Sequence, residues 1–243
     1  MEFKGASAYD QKDFLNQYLQ RRSREESPNN AIEKPVIMEL LGEVEGKSIL
    51  DLGCGDGSFG KELHTAGAKS YMGVEGSAQM ATMAKNNLKG TNSSILQETM
   101  ETYAFSPNEF DFVTSRFAIH YVADIKELFI KVHQSLKEDG KFVFSVQHPL
   151  TTSSFVSKKE GERKGNWIVD DYFNAGERKE PWIDKIVVKH HRTTEQYFSS
   201  LIEAGFNVVS LREGEPKREN FRNEEEYQRR KRIPIMLAFS CEK

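Results

Sequence analysis

The segment 47–60, KSILDLGCGDGSFG, constrains the fold of this chain more than any other. Its apolar run at 48–50 predicts a short buried strand, and a helix is predicted to begin at Ser58. Glycines occupy alternate positions of the turn between them: Gly53, Gly55 and Gly57. Glycine permits positive φ and lets a ligand lie directly on the backbone. A strand, a glycine-rich turn and a helix in this order are typical of open α/β sheets that hold a nucleotide-like ligand.

One way to align this turn predicts a dinucleotide site. Gly55, Gly57 and Gly60 match the G-x-G-x-x-G fingerprint, and Glu75 follows about 20 residues later, as that fingerprint requires. This alignment predicts an NAD(P)-dependent oxidoreductase. Such enzymes usually carry a catalytic Tyr-x-x-x-Lys or similar motif, and none stands in a fitting place here.

A second alignment begins at Asp51, which precedes Gly53, Gly55 and Gly57. It resembles motif I of the class I S-adenosylmethionine (SAM) methyltransferases, of the methyltransferase domain 11 type. Charge favours this alignment, because Asp51 would repel a pyrophosphate placed on the turn. SAM instead carries a sulfonium and an ammonium against one carboxylate. The apolar run also stops at Leu52, so Gly53 is the natural first glycine.

Composition and charge limit the classes of function and location that this chain can have. The chain has 243 residues and a net charge of −3, so a general nucleic-acid role is not indicated. Cys54 and Cys241 are far apart and lack metal-ligand spacing, which favours a reducing cytoplasm and predicts no metal site. The charged N-terminus lacks the apolar core of a signal peptide, and no apolar run is long enough to span a membrane.

Strand and helix patterns alternate along the chain, which predicts parallel βαβ units. The predicted strands are 48–50, 70–74, 94–97, 109–115, 141–146, 206–211 and 235–241, and helices are predicted at 8–25, up to 42, 58–67, 77–88, 124–136 and 194–204. Asn30 and Glu33 are expected to form a capping box for the helix that ends near 42. Basic and acidic residues at 217–232 predict a solvated helix with Glu225–Arg229 and Glu226–Arg230 pairs.

The resemblance covers 47–148, includes the Phe-Asp-x-Val form at 110–113, and resumes near the C-terminus. It implies an α/β Rossmann-like sheet of seven strands, the last antiparallel, with helices on both faces. The chain is then one methyltransferase domain, 1–243. Its parts are N-terminal lid helices (1–46), a SAM-binding core (47–148), a substrate-cap insertion (149–192) and the end of the sheet (193–243).

The resemblance also implies the cofactor site, which would take SAM and release S-adenosylhomocysteine (SAH). Glu75 ends the second strand, where a carboxylate can accept hydrogen bonds from both ribose hydroxyls. Thr99 stands where the family often has an Asp that reads the adenine amino group. The cofactor-binding prediction comprises Tyr18, Asp51, Gly53, Cys54, Gly55, Glu75, Gly76, Met80, Thr99, Met100, Glu101 and Ser115.

Methyl transfer needs few catalytic groups from the protein, because the sulfonium of SAM already activates the methyl group. Alignment of the nucleophile with that methyl group can by itself lower the activation barrier by about 7–11 kcal/mol. His120 is the candidate general base, since it follows the fourth strand and its pKa suits work near neutrality. The aromatic, polar cap predicts a substrate site, with candidates His148, Trp167, Tyr172, Trp182 and His191. In the cap, basic residues alternate with acids, from Lys158 to Lys164, which argues against a polyanionic partner.

The sequence therefore predicts a cytoplasmic enzyme that methylates a small molecule, with no nucleic-acid or membrane partner. Two other hypotheses stay open at this point. One is the NAD(P)-dependent oxidoreductase of the first alignment. The other is a SAM-binding protein without turnover, whose cofactor residues would be the same.

Overall fold

The computed structural model describes residues 2–156 and 166–243. The charged residues 158–164 of the predicted cap lie outside the described residues. The strands of the described part are β1 (Glu2–Lys4), β2 (Ser48–Leu52), β3 (Ser70–Val74), β4 (Ser93–Leu96), β5 (Phe110–Arg116), β6 (Leu136–Gln147), β7 (Gly176–Trp182), β8 (Lys185–His191), β9 (Asn207–Arg212) and β10 (Met236–Glu242). Its α-helices are α1 (Lys12–Arg22), α2 (Lys34–Leu41), α3 (Ser58–Thr65), α4 (Ala78–Asn87), α5 (Ile125–Ser135), α6 (Pro149–Thr152), α7 (Thr194–Glu203) and α8 (Glu224–Arg230).

A seven-stranded mixed sheet carries the fold, in the order β4-β3-β2-β5-β6-β10-β9. The pairs from β4 to β6 are parallel, and β10 runs antiparallel to both β6 and β9. The predicted fold class is therefore confirmed. Because β2 and β5 are central and parallel, their carboxyl ends meet at one edge, where such sheets bind ligands.

Successive side chains of the central strands point to opposite faces of the sheet and pack in two hydrophobic cores. Leu50, Phe142 and Phe239 pack on one face of the sheet, under α5 and α7. Ile49 and Val143 pack on the other face, in the cluster that includes residues of α2, α3 and α4. Apolar residues on both sides of each strand are what a sheet covered by helices on both faces requires.

The expected capping box at Asn30 and Glu33 is wrong. Ser27 caps this segment, because its hydroxyl accepts the backbone N–H of Asn30 at 3.3 Å. The chain then forms a π-helix, Pro28–Glu33, that leads directly into α2. Glu33 is fully buried, and its carboxylate accepts hydrogen bonds from the guanidinium of Arg116 and from the hydroxyl of Ser145. Glu33 therefore ties the N-terminal helices to the ends of β5 and β6.

The predicted cap contains a β-hairpin made by β7 and β8, and β1 adds to it in parallel with β8. Both strands of this hairpin lie within the segment 149–192 that the sequence assigns to the cap. The strand β1 was not predicted, since three residues are too few to show a period. This small sheet fixes the N-terminal segment against the cap.

Two predicted helices are shorter than expected. The first begins with a 3-10 turn at Gly5–Asp10 and becomes α-helical only in α1. The charged helix is limited to α8, and its pairing differs from the prediction at one position. Arg230 pairs with Glu226 as expected, whereas Arg229 also pairs with Glu226, at 3.2 Å. In the described part of the chain, no helix combines the length and apolarity needed to cross a membrane.

Candidate cofactor and acceptor site

The turn after β2 is shaped by glycines in the left-handed region. Gly53, Gly55 and Gly57 have φ values of 76°, 60° and 75°. A Cβ atom on Gly53 would lie only 2.5 Å from the Cβ atom of Ala118. Both the φ values and the close approach therefore require glycine, and the turn presents bare backbone to the cavity above it.

Asp51 is the buried acid beneath this turn. Its side chain lies in β2, where the residue is 2% exposed, and its Oδ2 accepts the hydroxyl proton of Tyr71 at 2.6 Å. Its Oδ1 has no hydrogen-bond partner among the described residues. Burial raises the pKa of Asp51 to about 6, against the opposing effect of the Tyr71 hydrogen bond. An unpartnered buried carboxylate oxygen suits a cationic ligand group.

Glu75 follows β3 and holds the turn from the side. Its Oε2 accepts the backbone N–H of Gly55 at 2.9 Å, and its Oε1 accepts the backbone N–H of Ser77 at 2.8 Å. Burial raises the pKa of Glu75, and the two amide hydrogen bonds oppose that rise. Each carboxylate oxygen retains a lone pair, so Glu75 can support the turn and still accept ligand hydroxyls.

A first cavity of about 620 Å³ opens above this turn, at the carboxyl ends of β2, β3 and β5. Its volume lies within the range of small-molecule sites. Eleven of the predicted cofactor residues line it: Tyr18, Asp51, Gly53, Cys54, Gly55, Glu75, Gly76, Met80, Thr99, Met100 and Glu101. The Thr99 hydroxyl pairs with the Thr102 hydroxyl at 3.1 Å, within a turn.

The N-terminal segment closes one side of the first cavity. Asp10 accepts hydrogen bonds from the Ser77 hydroxyl at 2.7 Å and from the Gln79 backbone N–H at 3.2 Å, so it is fastened to the start of α4. Arg22 reaches the cavity from α1 and pairs with Asp56 at 3.3 Å. The cavity thus contains a buried acid below the turn and a cation above it.

A second cavity of about 380 Å³ adjoins the first. Tyr9, Tyr18 and Tyr121 line both cavities and form part of their common wall. The hydroxyl oxygens of Tyr9 and Tyr121 are 3.2 Å apart, and the rings of Tyr9 and Tyr18 meet edge to face, with centroids 4.9 Å apart. Of the predicted substrate residues, Trp167 and Trp182 line this second cavity.

His120 also lines the second cavity and is 1% exposed. Its Nδ1 accepts the backbone N–H of Gln147 at 3.4 Å. Burial, with the nearby positive charge of Lys189, holds the pKa of His120 well below its usual range. The ring is therefore neutral near pH 7 and carries its proton on Nε2.

Four predicted site residues lie elsewhere, which corrects their assignment. Ser115 points between strands and donates its hydroxyl proton to the Leu52 carbonyl at 2.7 Å. His148 caps α6 by accepting the Leu150 N–H and contacts Glu213. Tyr172 and His191 bond to each other and to neighbouring residues, because the His191 ring meets the Tyr172 carbonyl oxygen at 2.8 Å. The hydrogen bonds of Tyr172 and His191 therefore stabilise the fold of the cap.

Other residues of the first cavity were not predicted from the sequence. They are Tyr9, Asp10, Arg22, Asn29, Arg116, Phe117 and Ala118. Most come from the N-terminal segment or from the end of β5. The motifs do not single them out as site residues, although the predicted lid (1–46) contains four of them and the other three lie at or just after the end of β5.

Comparisons with known proteins agree with this geometry. A family model described as a methyltransferase domain matches residues 50–144. A crystal structure of a SAM-dependent methyltransferase from Mesorhizobium loti is similar, with a TM-score of 0.81 and 33% sequence identity over 88% of this chain and 99% of that one.

Two curated relatives extend the comparison. An uncharacterized protein of Haemophilus influenzae is 32% identical over 224 residues, which is 85% of each chain. A ubiquinone biosynthesis O-methyltransferase of Salmonella paratyphi A is 26% identical and covers 71% of this chain and 74% of its own length.

The site and the relatives together define a class I SAM-dependent methyltransferase. The chain belongs to that family, in the branch of the methyltransferase domain 11 model. SAM is its methyl donor, which decides between the two alignments of the glycine turn in favour of the one that begins at Asp51. The family is one of small-molecule methyltransferases.

Proposed function

We propose that this methyltransferase holds SAM in the first cavity and a small-molecule acceptor in the second, and that the methyl group passes between them at the tyrosine wall. The observation that carries this proposal is the common wall itself. Tyr9, Tyr18 and Tyr121 line both cavities, so ligands in the two cavities would meet there. The bound cofactor supplies a methyl group activated by a sulfonium.

Three side chains are suited to the polar groups of SAM. The buried Oδ1 of Asp51 can accept a hydrogen bond from the ammonium group, and Arg22 can bind the carboxylate. Glu75 can accept from the ribose hydroxyls while it holds the amides of Gly55 and Ser77. Asp51 and Arg22 thus carry charges opposite to those of the ammonium and carboxylate groups at the amino-acid end of SAM.

The protein aligns the acceptor and excludes water, which is where most of the rate enhancement of such a displacement arises. His120 faces the second cavity with its proton on Nε2, as judged from the amide that Nδ1 accepts. A ring in that state donates a hydrogen bond to the acceptor more readily than it removes a proton. The general-base role of His120 stays a prediction.

The cap role of residues 149–192 is supported by the hairpin of β7 and β8. Glu180, Trp182 and Lys189, from those strands, line the second cavity. The N-terminal segment completes the enclosure through Tyr9 and Tyr18, and β1 fastens it to the hairpin. We further propose a cytoplasmic location, as the distribution of Cys54 and Cys241 suggests.

A small molecule is the favoured acceptor for two reasons. The second cavity, at about 380 Å³, is sized for a metabolite rather than for a folded macromolecule. The Salmonella relative is named for a step in the biosynthesis of ubiquinone, which is itself a small molecule.

Transfer of radiolabelled methyl from SAM into a fractionated cell extract tests the proposal. The small-molecule, RNA and protein fractions are supplied separately, and label is expected in the first. Label confined to RNA or protein would contradict the proposal. SAM binding with no label in any fraction would favour the SAM-binding protein without turnover.

A further inference from the structure

The wall of the second cavity is strongly cationic. Its described charged residues are six cations and one acid: Arg21, Arg22, Arg24, Lys189, Arg229, Arg230 and Glu180. Glu180 accepts a hydrogen bond from the buried ammonium group of Lys189, so the acid of the wall already has a cationic partner. Arg22 is likewise paired with Asp56, so the remaining cations of the wall are the guanidinium groups of Arg21, Arg24 and the α8 arginines.

The two arginines of α8 share one carboxylate. Arg229 and Arg230 contact the same oxygen, Oε1 of Glu226, at 3.2 and 2.6 Å. The Nε–H groups of both arginines are buried and have no hydrogen-bond partner within the described ranges. A buried donor without a partner is costly, and one carboxylate cannot neutralise two guanidinium groups. The pair therefore carries more positive charge than its one carboxylate neutralises, at the wall of the second cavity.

Arg24 supplies a third guanidinium to the same cavity wall. Burial lowers the pKa of Arg230, and the positive charges of Arg229 and Arg24 lower it further, against the effect of Glu226. Like charges that converge on one cavity raise the free energy of the empty protein. An anion bound among them would remove that repulsion, and guanidinium groups favour planar oxyanions such as carboxylate and phosphate.

Aromatic rings supply another part of the wall. Trp182 packs edge to face against Tyr18, with centroids 5.7 Å apart, and the Lys189 Nζ lies 4.5 Å from its ring centroid. Trp167 is covered by Arg232, whose Cζ is 4.8 Å from the ring centroid. Flat apolar rings and guanidinium groups in the lining of one cavity suit a ligand with a planar body and an anionic end.

We infer that the methyl acceptor carries an oxyanion, a carboxylate or phosphate, and that Arg229 and Arg230 bind it in the second cavity while the planar part of the acceptor packs on Trp182. This inference rests on the proposed function, because it assigns the second cavity to the acceptor. It explains why a segment with the composition of a solvated helix directs two arginines into a cavity.

The test uses benzoate, phenyl phosphate and the neutral benzamide as probes of the SAH-saturated protein, with binding measured by calorimetry. The two anions should bind at least about tenfold more tightly than benzamide, because a charge-assisted hydrogen bond is stronger than a neutral one. Arg229→Gln and Arg230→Gln should each remove that preference. The control Arg222→Gln removes an exposed guanidinium near α8 that does not line the cavity, and it should keep the preference.

Several results would overturn the inference. They are equal binding of benzamide, an unchanged preference in both glutamine variants, or no binding of either anion up to its solubility limit. The comparison of probes on the unaltered protein does not depend on whether a variant folds. SAH affinity from the same experiments separates the two proposals. Normal SAH binding without anion preference refutes only this inference, whereas absent SAH binding refutes the cofactor site.

Discussion

Tyr71 donates its hydroxyl proton to one oxygen of Asp51, at 2.6 Å, and leaves the other oxygen buried without a partner in the described chain. This single hydrogen bond holds the carboxylate of a residue that lines the first cavity. The arrangement is costly for the empty protein, as shown by the raised pKa of Asp51, about 6. A cationic ligand group would recover that cost.

The affinity for SAM should therefore depend on pH through Asp51. The ammonium group favours the ionised carboxylate, so binding is strongest above the pKa of about 6 and weakens as the pH falls below it. The expected loss is up to about tenfold in affinity per pH unit, as for one linked proton. Calorimetric titration with SAH, which keeps the same ammonium group, measures it.

Asp51→Asn is the control for that pH dependence. The amide cannot ionise, so the variant should bind SAH at least about tenfold more weakly at neutral pH and lose most of the acidic decline. An equally steep decline in the variant would show that another group is responsible.

Gly53→Ala should prevent cofactor binding, because the added Cβ atom would lie 2.5 Å from Ala118 at the edge of the first cavity. Gly90→Ala is a matched control. Gly90 also has positive φ, 85°, but no atom lies within 4 Å of its added Cβ. Both variants carry similar backbone strain, of about 1–2 kcal/mol. Only Gly53→Ala should lower SAH affinity, by at least about tenfold. Similar SAH affinities in the two variants would contradict the close approach.

The fold of the site could be predicted where its residues are close in sequence. Asp51 and the glycines form one motif, and Glu75 follows at a fixed spacing. The partnership of Glu33 with Arg116 could not be predicted, since 83 positions separate the two residues. A glutamate three residues after an asparagine has the pattern of a capping box, and only packing shows that it is a buried ion-pair partner.

The acceptor side could be predicted less well. Trp182 was found because a large aromatic residue in a polar segment needs a partner. Tyr172 satisfies the same criterion, but its carbonyl oxygen bonds to the His191 ring within the cap. Arg229 and Arg230 were assigned to a solvated face, because charge periodicity does not reveal that they line a cavity together with residues of the β7–β8 hairpin.

Glu33→Gln should destabilise the protein by about 3 kcal/mol, because Arg116 would keep a buried charge without its counter-ion. The free energy of unfolding in urea measures the loss. Glu62→Gln is the control, since Glu62 pairs with Lys34 on the surface, with 45% of its side chain exposed. Its effect should stay within about 0.5 kcal/mol. Equal effects of the two variants would show that the buried pair does not stabilise the junction of helices and sheet.

Trp182→Ala should weaken binding of the acceptor and leave binding of the cofactor largely unchanged. The ring lines the second cavity but not the first, so KM for an acceptor found by the labelling screen should rise at least about tenfold while SAH affinity changes little. Phe173→Ala removes another aromatic ring of the cap, one that is 86% exposed, and should change neither quantity. A large fall in SAH affinity with unchanged KM would place Trp182 at the cofactor instead.

The most direct measurement is a calorimetric titration of the unaltered protein with SAM and, separately, with NAD, above the pKa of Asp51. We expect saturable one-to-one binding of SAM and no measurable binding of NAD, because the buried acid favours a cation and repels a pyrophosphate. Tight NAD binding with no response to SAM would contradict the cofactor site described at Asp51.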